Sequence, residues 1–241
     1  MKYYLITGAS SGIGRETAKE LSNEDTTVIL LARRVDKLKE LQQELEGESL
    51  IIECDLCDAQ EIEHSFDIIR QKGIKLDGLV YCAGIYFNMP VKVMQQEDLE
   101  KMFRINVFGF FEICKLFANR MISNKGAAIV GISSYASVTR ETGTSAYAMS
   151  KEAMNVQVQV LAKEFIKRKI RINTVMPAIV KSKMSSDNND WTEEEIAEIQ
   201  KKQPLGIIPI SNVVAVIQFL LSDAAEFITG ETVAISAGYH G

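Results

Sequence analysis

Apolar residues return along this chain in two alternating rhythms. Short, nearly unbroken apolar runs of the kind that form buried parallel strands occur at Tyr3–Thr7, Thr26–Leu31, Ser49–Cys54, Leu79–Cys82, from Ile129 to the pair Ser133-Ser134, at Ile170–Val175 and at Thr232–Ser236. Between them lie stretches whose apolar positions recur every three to four residues, as on one face of a helix. These run from Arg15 to about Glu24, across Leu38, Leu41 and Leu45, beyond the start signal Asp58-x-x-Glu61, over Gln95–Met121, onward from Tyr147, and over Asn212–Leu221. Strict strand–helix alternation predicts an α/β, doubly wound sheet of about seven parallel strands, covered on both faces. No repeat, low-complexity run or linker interrupts it, so residues 1–241 are expected to form a single domain.

The alternation breaks once, in the polar stretch Val180–Pro209, where Ser185–Asp190 is the most loop-like part. Thr192 and Glu195 have the spacing of a capping box, and Trp191 with Ile196 that of a hydrophobic staple. Trp191 is therefore expected as a staple rather than a substrate platform. Because this stretch follows the sixth strand at the ligand-binding edge of the sheet, Lys183–Gln203 is expected to be a substrate lid.

Several polar positions sit where strands end. Thr7-Gly8-Ala9-Ser10-Ser11-Gly12-Ile13-Gly14 joins the first strand to the first helix. A glycine-rich turn there lets the backbone approach a pyrophosphate at the helix N-terminus. Arg33-Arg34 follows the second strand, where an acid would take the ribose 2′-hydroxyl of NAD and an arginine the 2′-phosphate of NADP; two solvated arginines would read the same. Asp36 could cap the next helix. Asn106 interrupts an apolar helical pattern, a local conflict of the sort functional sites show. Tyr147 and Lys151 are four apart and share a helix face. A nearby ammonium favours phenolate, and lowering a tyrosine by about three units takes roughly 4 kcal/mol. An ordinary surface pair has the same spacing.

Composition narrows the classes. The chain has 241 residues, is 46% hydrophobic and carries a net charge of −5, which argues against nucleic-acid binding. No apolar run reaches the length of a membrane span. The N-terminus enters a strand at once and leaves no room for a signal peptide, so a cytoplasmic location is expected. Cys54 and Cys57 have Cys-x-x-Cys spacing, but there is no second pair, and His64 and His240 form no cluster. Small buried residues and no metal are expected.

In their order and spacing these motifs resemble the short-chain dehydrogenase/reductase family over essentially the whole chain, in a form similar to 3-oxoacyl-thioester reductases. The resemblance implies a Rossmann-type fold and an NADP cofactor. The family's glycine motif matches Thr7, Gly8, Gly12 and Gly14, with Ser10, Ser11 and Ile13 beside the cofactor. Asp55 matches the adenine aspartate, with Leu56 next to it. Cys82, Ala83, Gly84, Pro177, Val180 and Ser182 fall at further cofactor positions. Asn106, Ser134, Tyr147 and Lys151 match the catalytic tetrad, Ser134 rather than Ser133 by its thirteen-residue distance from the tyrosine. Three places depart from the pattern: Tyr81-Cys82-Ala83-Gly84 for Asn-Asn-Ala-Gly, Pro177-Ala178 for Pro-Gly, and Ser182 for a threonine.

The implied reaction moves a hydride between nicotinamide and a ketone or secondary alcohol, with Tyr147 as acid/base, Ser134 donating to the substrate oxygen, Lys151 holding the nicotinamide ribose and Asn106 supporting a water relay. Alternatives are a cofactor-retaining epimerase or dehydratase and a non-catalytic NADP-binding protein. The substrate class stays open among acyl thioesters, steroids and sugar-derived ketones. For an acidic acyl carrier, Lys163, Lys167, Arg168, Lys169 and Arg171 could form a docking patch. The apolar load of Phe108–Phe117 and Met154–Leu161 leads to the expectation of a homo-oligomer, a tetramer or dimer.

Overall fold

The computed structural model describes residues 1–181 and 191–239. Strands β1 (Lys2–Thr7), β2 (Thr26–Ala32), β3 (Ser49–Glu53), β4 (Leu76–Tyr81), β5 (Ser123–Ile132), β6 (Arg171–Pro177) and β7 (Thr232–Ile235) form one sheet in the order β3-β2-β1-β4-β5-β6-β7. Every neighbouring pair is parallel. The chain winds outward from β1 to β3, then returns to β4 and winds the other way. That reversal leaves a crevice over the carboxyl ends of β1 and β4, where doubly wound sheets bind ligands. This is the Rossmann-type α/β architecture.

Side-chain alternation builds a core on each face of the sheet. On β1, Leu5 joins the core that includes Phe110, Met154 and Ile172, whereas Tyr4 and Ile6 join the one with Leu30, Val213 and Ile217. Helices α1 (Gly12–Leu21), α2 (Val35–Gln42) and α3 (Ala59–Gln71) follow the first three strands. Asp58 caps α3 by accepting from the backbone N–H groups of Gln60 and Glu61. Glu61 does not complete a box with Asp58; its carboxylate accepts from the Asp55 N–H at 2.7 Å. Asp36 is not a cap either, since it lies within the first turn of α2, where a negative charge still suits the helix dipole.

The expected single helix over Gln95–Met121 is broken in two. Helix α4 (Gln96–Phe103) passes through a π-helical turn at Arg104–Gly109 into α5 (Phe110–Phe117). Asn106 sits in that turn, so its polarity in an apolar pattern marks a change of helix type, as π-bulges near functional sites do. Tyr81 supports the turn from the sheet, donating its buried hydroxyl to the Ile105 carbonyl at 2.6 Å. A short helix α6 (Ala136–Thr139) precedes α7 (Ser145–Phe165), and α8 (Glu193–Lys202) and α9 (Ile210–Leu221) complete the helices named here. Thr192 and Glu195 do form the reciprocal capping box of α8. Of the expected lid, residues 182–190 lie outside the described residues, Ser182 among them. The far end of α8 is fixed by Gln203, fully buried and bonded to Ile179 and Gly206.

Two of the five residues of the expected basic patch are engaged with backbone, while Lys163, Lys167 and Lys169 are exposed. Arg168 donates to the carbonyls of Ala118 and Ser123 at 2.6 and 2.7 Å, and Arg171 to those of Leu220 and Ser222 at 2.6 and 3.1 Å. Both guanidiniums satisfy backbone acceptors, and Arg171 begins β6, at the sheet edge opposite the crevice. Among the described residues no helix is long and apolar enough to cross a membrane.

Candidate active site

One cleft of about 640 Å³ extends over the carboxyl ends of the strands. At one end it opens on the turn between β1 and α1, lined by Gly8, Ser10, Ser11, Gly12 and Ile13. Gly8 has φ +65°, and a Cβ there would stand 2.8 Å from the Ala83 nitrogen. Gly14 does not line the cleft: a Cβ there would stand 2.6 Å from the Gly8 carbonyl oxygen, so its place is the close contact of helix and turn. First-turn N–H groups of α1 have no intrahelical partner, and Ser11, its N-cap residue, makes no side-chain cap. The Ser10 and Ser11 hydroxyls instead accept from the Arg34 guanidinium at 2.9 and 3.0 Å.

Arg33, beside it, stands 3.5 Å from the Asp55 carboxylate and is 60% exposed. A pair that open contributes little stability, so Arg33 is available to another anion. Asp55 is held by its own N–H on Glu61 and by accepting from the Cys57 N–H. Leu56 lines the cleft beside it.

Cys82, Ala83, Gly84, Pro177 and Val180 line the middle. The Ala83 N–H donates to the Thr7 hydroxyl at 3.2 Å, tying β4 to β1 at the crevice. Burial pushes the Cys82 thiol up to about 12 and the Cys54 thiol up to about 11, which makes both poor nucleophiles. All four cysteines are free thiols. Asn106 is fully buried; its amide oxygen accepts from the Ile85 N–H and its nitrogen donates to the Ile85 carbonyl and the Ser150 hydroxyl. It thereby ties the π turn to the loop after β4 and to α7. A Cβ on Gly84 would stand 3.2 Å from the Asn106 amide oxygen and 3.4 Å from the Lys151 Nζ, so this position leaves no room for a side chain without displacement.

Ser134, Tyr147 and Lys151 converge at the far end. Ser133 also lines the cleft, but it is 2% exposed and its hydroxyl is taken up by donating to the Lys151 carbonyl. Lys151 is 4% exposed, donates to the Ile132 carbonyl at 2.7 Å and lies 5.7 Å from the centroid of the Tyr147 ring. The expectation that Lys151 lowers the Tyr147 pKa is not met. Burial pushes the phenol up to about 12, against a downward pull from its hydrogen bond with Ser134. Burial also pushes Lys151 down to about 8. Desolvation is the leading cause for both groups, and neither shift is owed to the other residue.

Beyond Tyr147 the wall is built from residues that no motif signalled: Tyr86, Tyr135, Glu141 and Tyr239. Tyr86 meets the Tyr147 ring edge to face at a centroid distance of 4.8 Å. Glu141 and Tyr239 are 98 positions apart and hydrogen-bonded; no spacing rule pairs them. Trp191, expected as a staple, lines the cleft, and its indole N–H has no acceptor among the described residues.

Comparison with known proteins agrees with this architecture. A family model described as Enoyl-(Acyl carrier protein) reductase matches residues 8–240. The chain is 33% identical over 238 residues to the 3-oxoacyl-[acyl-carrier-protein] reductase FabG of Rickettsia conorii, covering 98% of this chain and 96% of the relative. It is 30% identical over 239 residues to an NAD-dependent glycerol dehydrogenase of Listeria innocua, covering 99% and 93%. The solved structure of 4-hydroxyisoleucine dehydrogenase complexed with NADH superposes with a TM-score of 0.91 at 26% identity, covering 99% of this chain and 98% of that one. With the parallel sheet, the glycine turn at its reversal point and a family match along nearly its full length, the chain belongs to the short-chain dehydrogenase/reductase family of oxidoreductases.

Proposed function

We propose that this protein is an NADP(H)-dependent oxidoreductase that interconverts a ketone and a secondary alcohol, with Tyr147 as the proton-transfer group. The observation that carries it is the placement of Tyr147 with Ser134 and Lys151 in the same cleft as the α1 N-terminus. The cleft suits a nicotinamide dinucleotide. Gly8 and Gly12 present bare backbone at a helix N-terminus, a setting for a pyrophosphate. Arg33 and Arg34 supply forked donors for a 2′-phosphate, and Asp55 with Leu56 lies where the adenine would rest. When bound, the cofactor supplies or takes the hydride.

The chain's own groups do the rest. At neutral pH a Tyr147 pushed up to about 12 is a phenol, the form that gives a proton to a carbonyl oxygen as that oxygen gains charge. Ser134 donates to the same oxygen, an oxyanion-type contribution. Lys151 holds the ribose, and Asn106 keeps the π turn and the Ile85 loop in place around it. A panel of carbonyl compounds with NADPH, followed by loss of reduced-nicotinamide absorbance, tests the reading; consumption with none of them overturns it.

Lys151 gives this reading a pH signature. Its folded value lies near 8, below the ordinary 10.5. The ammonium is present at pH 7 and is lost as pH rises through about 8. NADPH affinity, titrated by fluorescence, should weaken over that window, and Lys151→Met should remove the dependence. A flat profile in the unmodified protein contradicts the role given to Lys151.

Phe108, Phe111, Val156 and Val160 are exposed, at 57%, 42%, 51% and 49%, on α5, on α7 and in the π turn that packs on α7. So much exposed apolar surface fits a homo-oligomer, dimer or tetramer. Sedimentation at micromolar concentration should give a species larger than one chain; a monomer refutes it.

A further inference from the structure

At the substrate end of the cleft one carboxylate has half of its acceptors in use. Glu141 Oε1 accepts from the Lys202 ammonium at 2.5 Å and from the Tyr239 hydroxyl at 2.6 Å. Among the described residues nothing donates to Oε2. The two contacts grip the side chain from different directions, one from the last turn of α8 and one from the stretch after β7. They also keep it ionised, since the hydrogen bonds from Lys202 and Tyr239 hold its pKa below the usual carboxylate range. Glu141 is thus a fixed acceptor with one free oxygen. Tyr86 connects it to the chemistry: one side of Tyr86 meets the Tyr147 ring, and the Glu141 charge adds to burial in raising the Tyr86 phenol.

Trp191 adds the opposite kind of group. Its indole N–H is buried, has no acceptor among the described residues, and belongs to a side chain lining the same cleft. Buried donors are nearly always paired in folded proteins; this nitrogen presents no surface to the cleft, so the indole must turn for a substrate oxygen to reach it. Aromatic walls with a few fixed polar groups are the usual make-up of a small-molecule pocket.

We infer that the substrate is a compact carbonyl compound carrying a hydroxyl group, which donates to Glu141 Oε2 while Trp191 donates to another substrate oxygen. The inference rests on the hydride-transfer reading above and sharpens its substrate class. A hydroxyl fits better than an ammonium, because Lys202 already balances the Glu141 charge. A carboxylate or phosphate would meet the free oxygen as an acceptor facing an acceptor. For a carrier-bound acyl thioester, Arg168 and Arg171 of the expected dock are committed to backbone carbonyls, and Lys163, Lys167 and Lys169 remain exposed.

The test compares erythrulose, a trihydroxylated butanone, with plain butan-2-one and acetoacetyl-CoA, each with saturating NADPH. The unmodified protein should favour erythrulose over butan-2-one in kcat/KM by about 10- to 100-fold, the scale of one hydrogen bond to a charged acceptor. The lower end is expected, because Glu141 is 45% exposed. Glu141→Gln and, separately, Trp191→Phe should each narrow that ratio severalfold. A general loss of structure would scale both ketones alike and leave the ratio in place. In the dead-end complex with NADP⁺, erythrulose should raise the Tm of the unmodified protein more than that of Glu141→Gln. Turnover that prefers butan-2-one or the thioester, or a ratio indifferent to both substitutions, overturns this inference and leaves hydride transfer standing. Failure to bind or consume either nicotinamide overturns the reading beneath it.

Discussion

Tyr147→Phe should lower turnover by about 10²–10⁴-fold and leave NADPH binding close to normal. The substitution removes one oxygen and keeps the ring, so the packing against Tyr86 at 4.8 Å is retained. What disappears is the proton. Among the described residues no histidine lines the cleft, Cys82 is pushed up to about 12, and Lys151 is tied to the Ile132 carbonyl, so neither of these two groups is set to replace the phenol. Ser134 would still polarise the substrate oxygen, which is why a residual rate is expected. Cofactor affinity reports on the glycine turn, Arg33, Arg34 and Lys151, all untouched. Near-normal turnover in the variant would remove Tyr147 from the mechanism; loss of turnover together with loss of NADPH binding would mean that the fold, not the proton, had been disturbed.

The second large effect is expected at the other end of the cleft. Arg33→Asp should lower the kcat/KM ratio of NADPH to NADH by about 10²-fold or more. A charge-assisted hydrogen bond contributes about 1.5–3 kcal/mol, and a new carboxylate adds repulsion of the 2′-phosphate while offering an acceptor to a 2′-hydroxyl. Stability should change little, because the Arg33–Asp55 pair is long, at 3.5 Å, and open to water. Arg34→Ala is the companion variant. It leaves the Ser10 and Ser11 hydroxyls without their donor, so it should weaken NADPH and NADH together as well as shifting the ratio. The relatives give reason to measure both cofactors, one being described as NAD-dependent and one solved with NADH. Equal use of the two cofactors by the unmodified protein would contradict the assignment of Arg33.

The parts of this molecule that could be read from its sequence are those governed by short spacings. Strands announced themselves as apolar runs because a parallel strand is buried on both faces, as Thr26–Ala32 is along its whole length. The turn at Gly8 was legible because its backbone and its closeness to Ala83 exclude a side chain. Asn106 stood out as polar within an apolar pattern, but the pattern could not say that the helix widens into a π turn there, since that depends on contacts such as the Tyr81 hydroxyl on the Ile105 carbonyl. The basic residues near Arg168 read as a surface patch because sequence shows charge without showing what it touches. The substrate wall was the least legible part. Tyr86, Glu141, Trp191 and Tyr239 come from separate loops and from the stretch after β7, and only folding brings them to one cleft. The Tyr147 pKa failed in sign for a related reason: a four-residue spacing gives proximity to Lys151, whereas burial, which here wins, is a tertiary quantity.

The most direct test of the central claim follows the hydride itself. The protein is given NADPH deuterated at the transferable C4 position and a ketone it turns over, and the alcohol is isolated. The account predicts one deuterium on the carbinol carbon per NADPH consumed, and loss of that transfer in Tyr147→Phe while the cofactor stays bound. Product without net NADPH consumption, as a cofactor-retaining epimerase or dehydratase would give, or an alcohol whose carbinol carbon carries no deuterium, would contradict it.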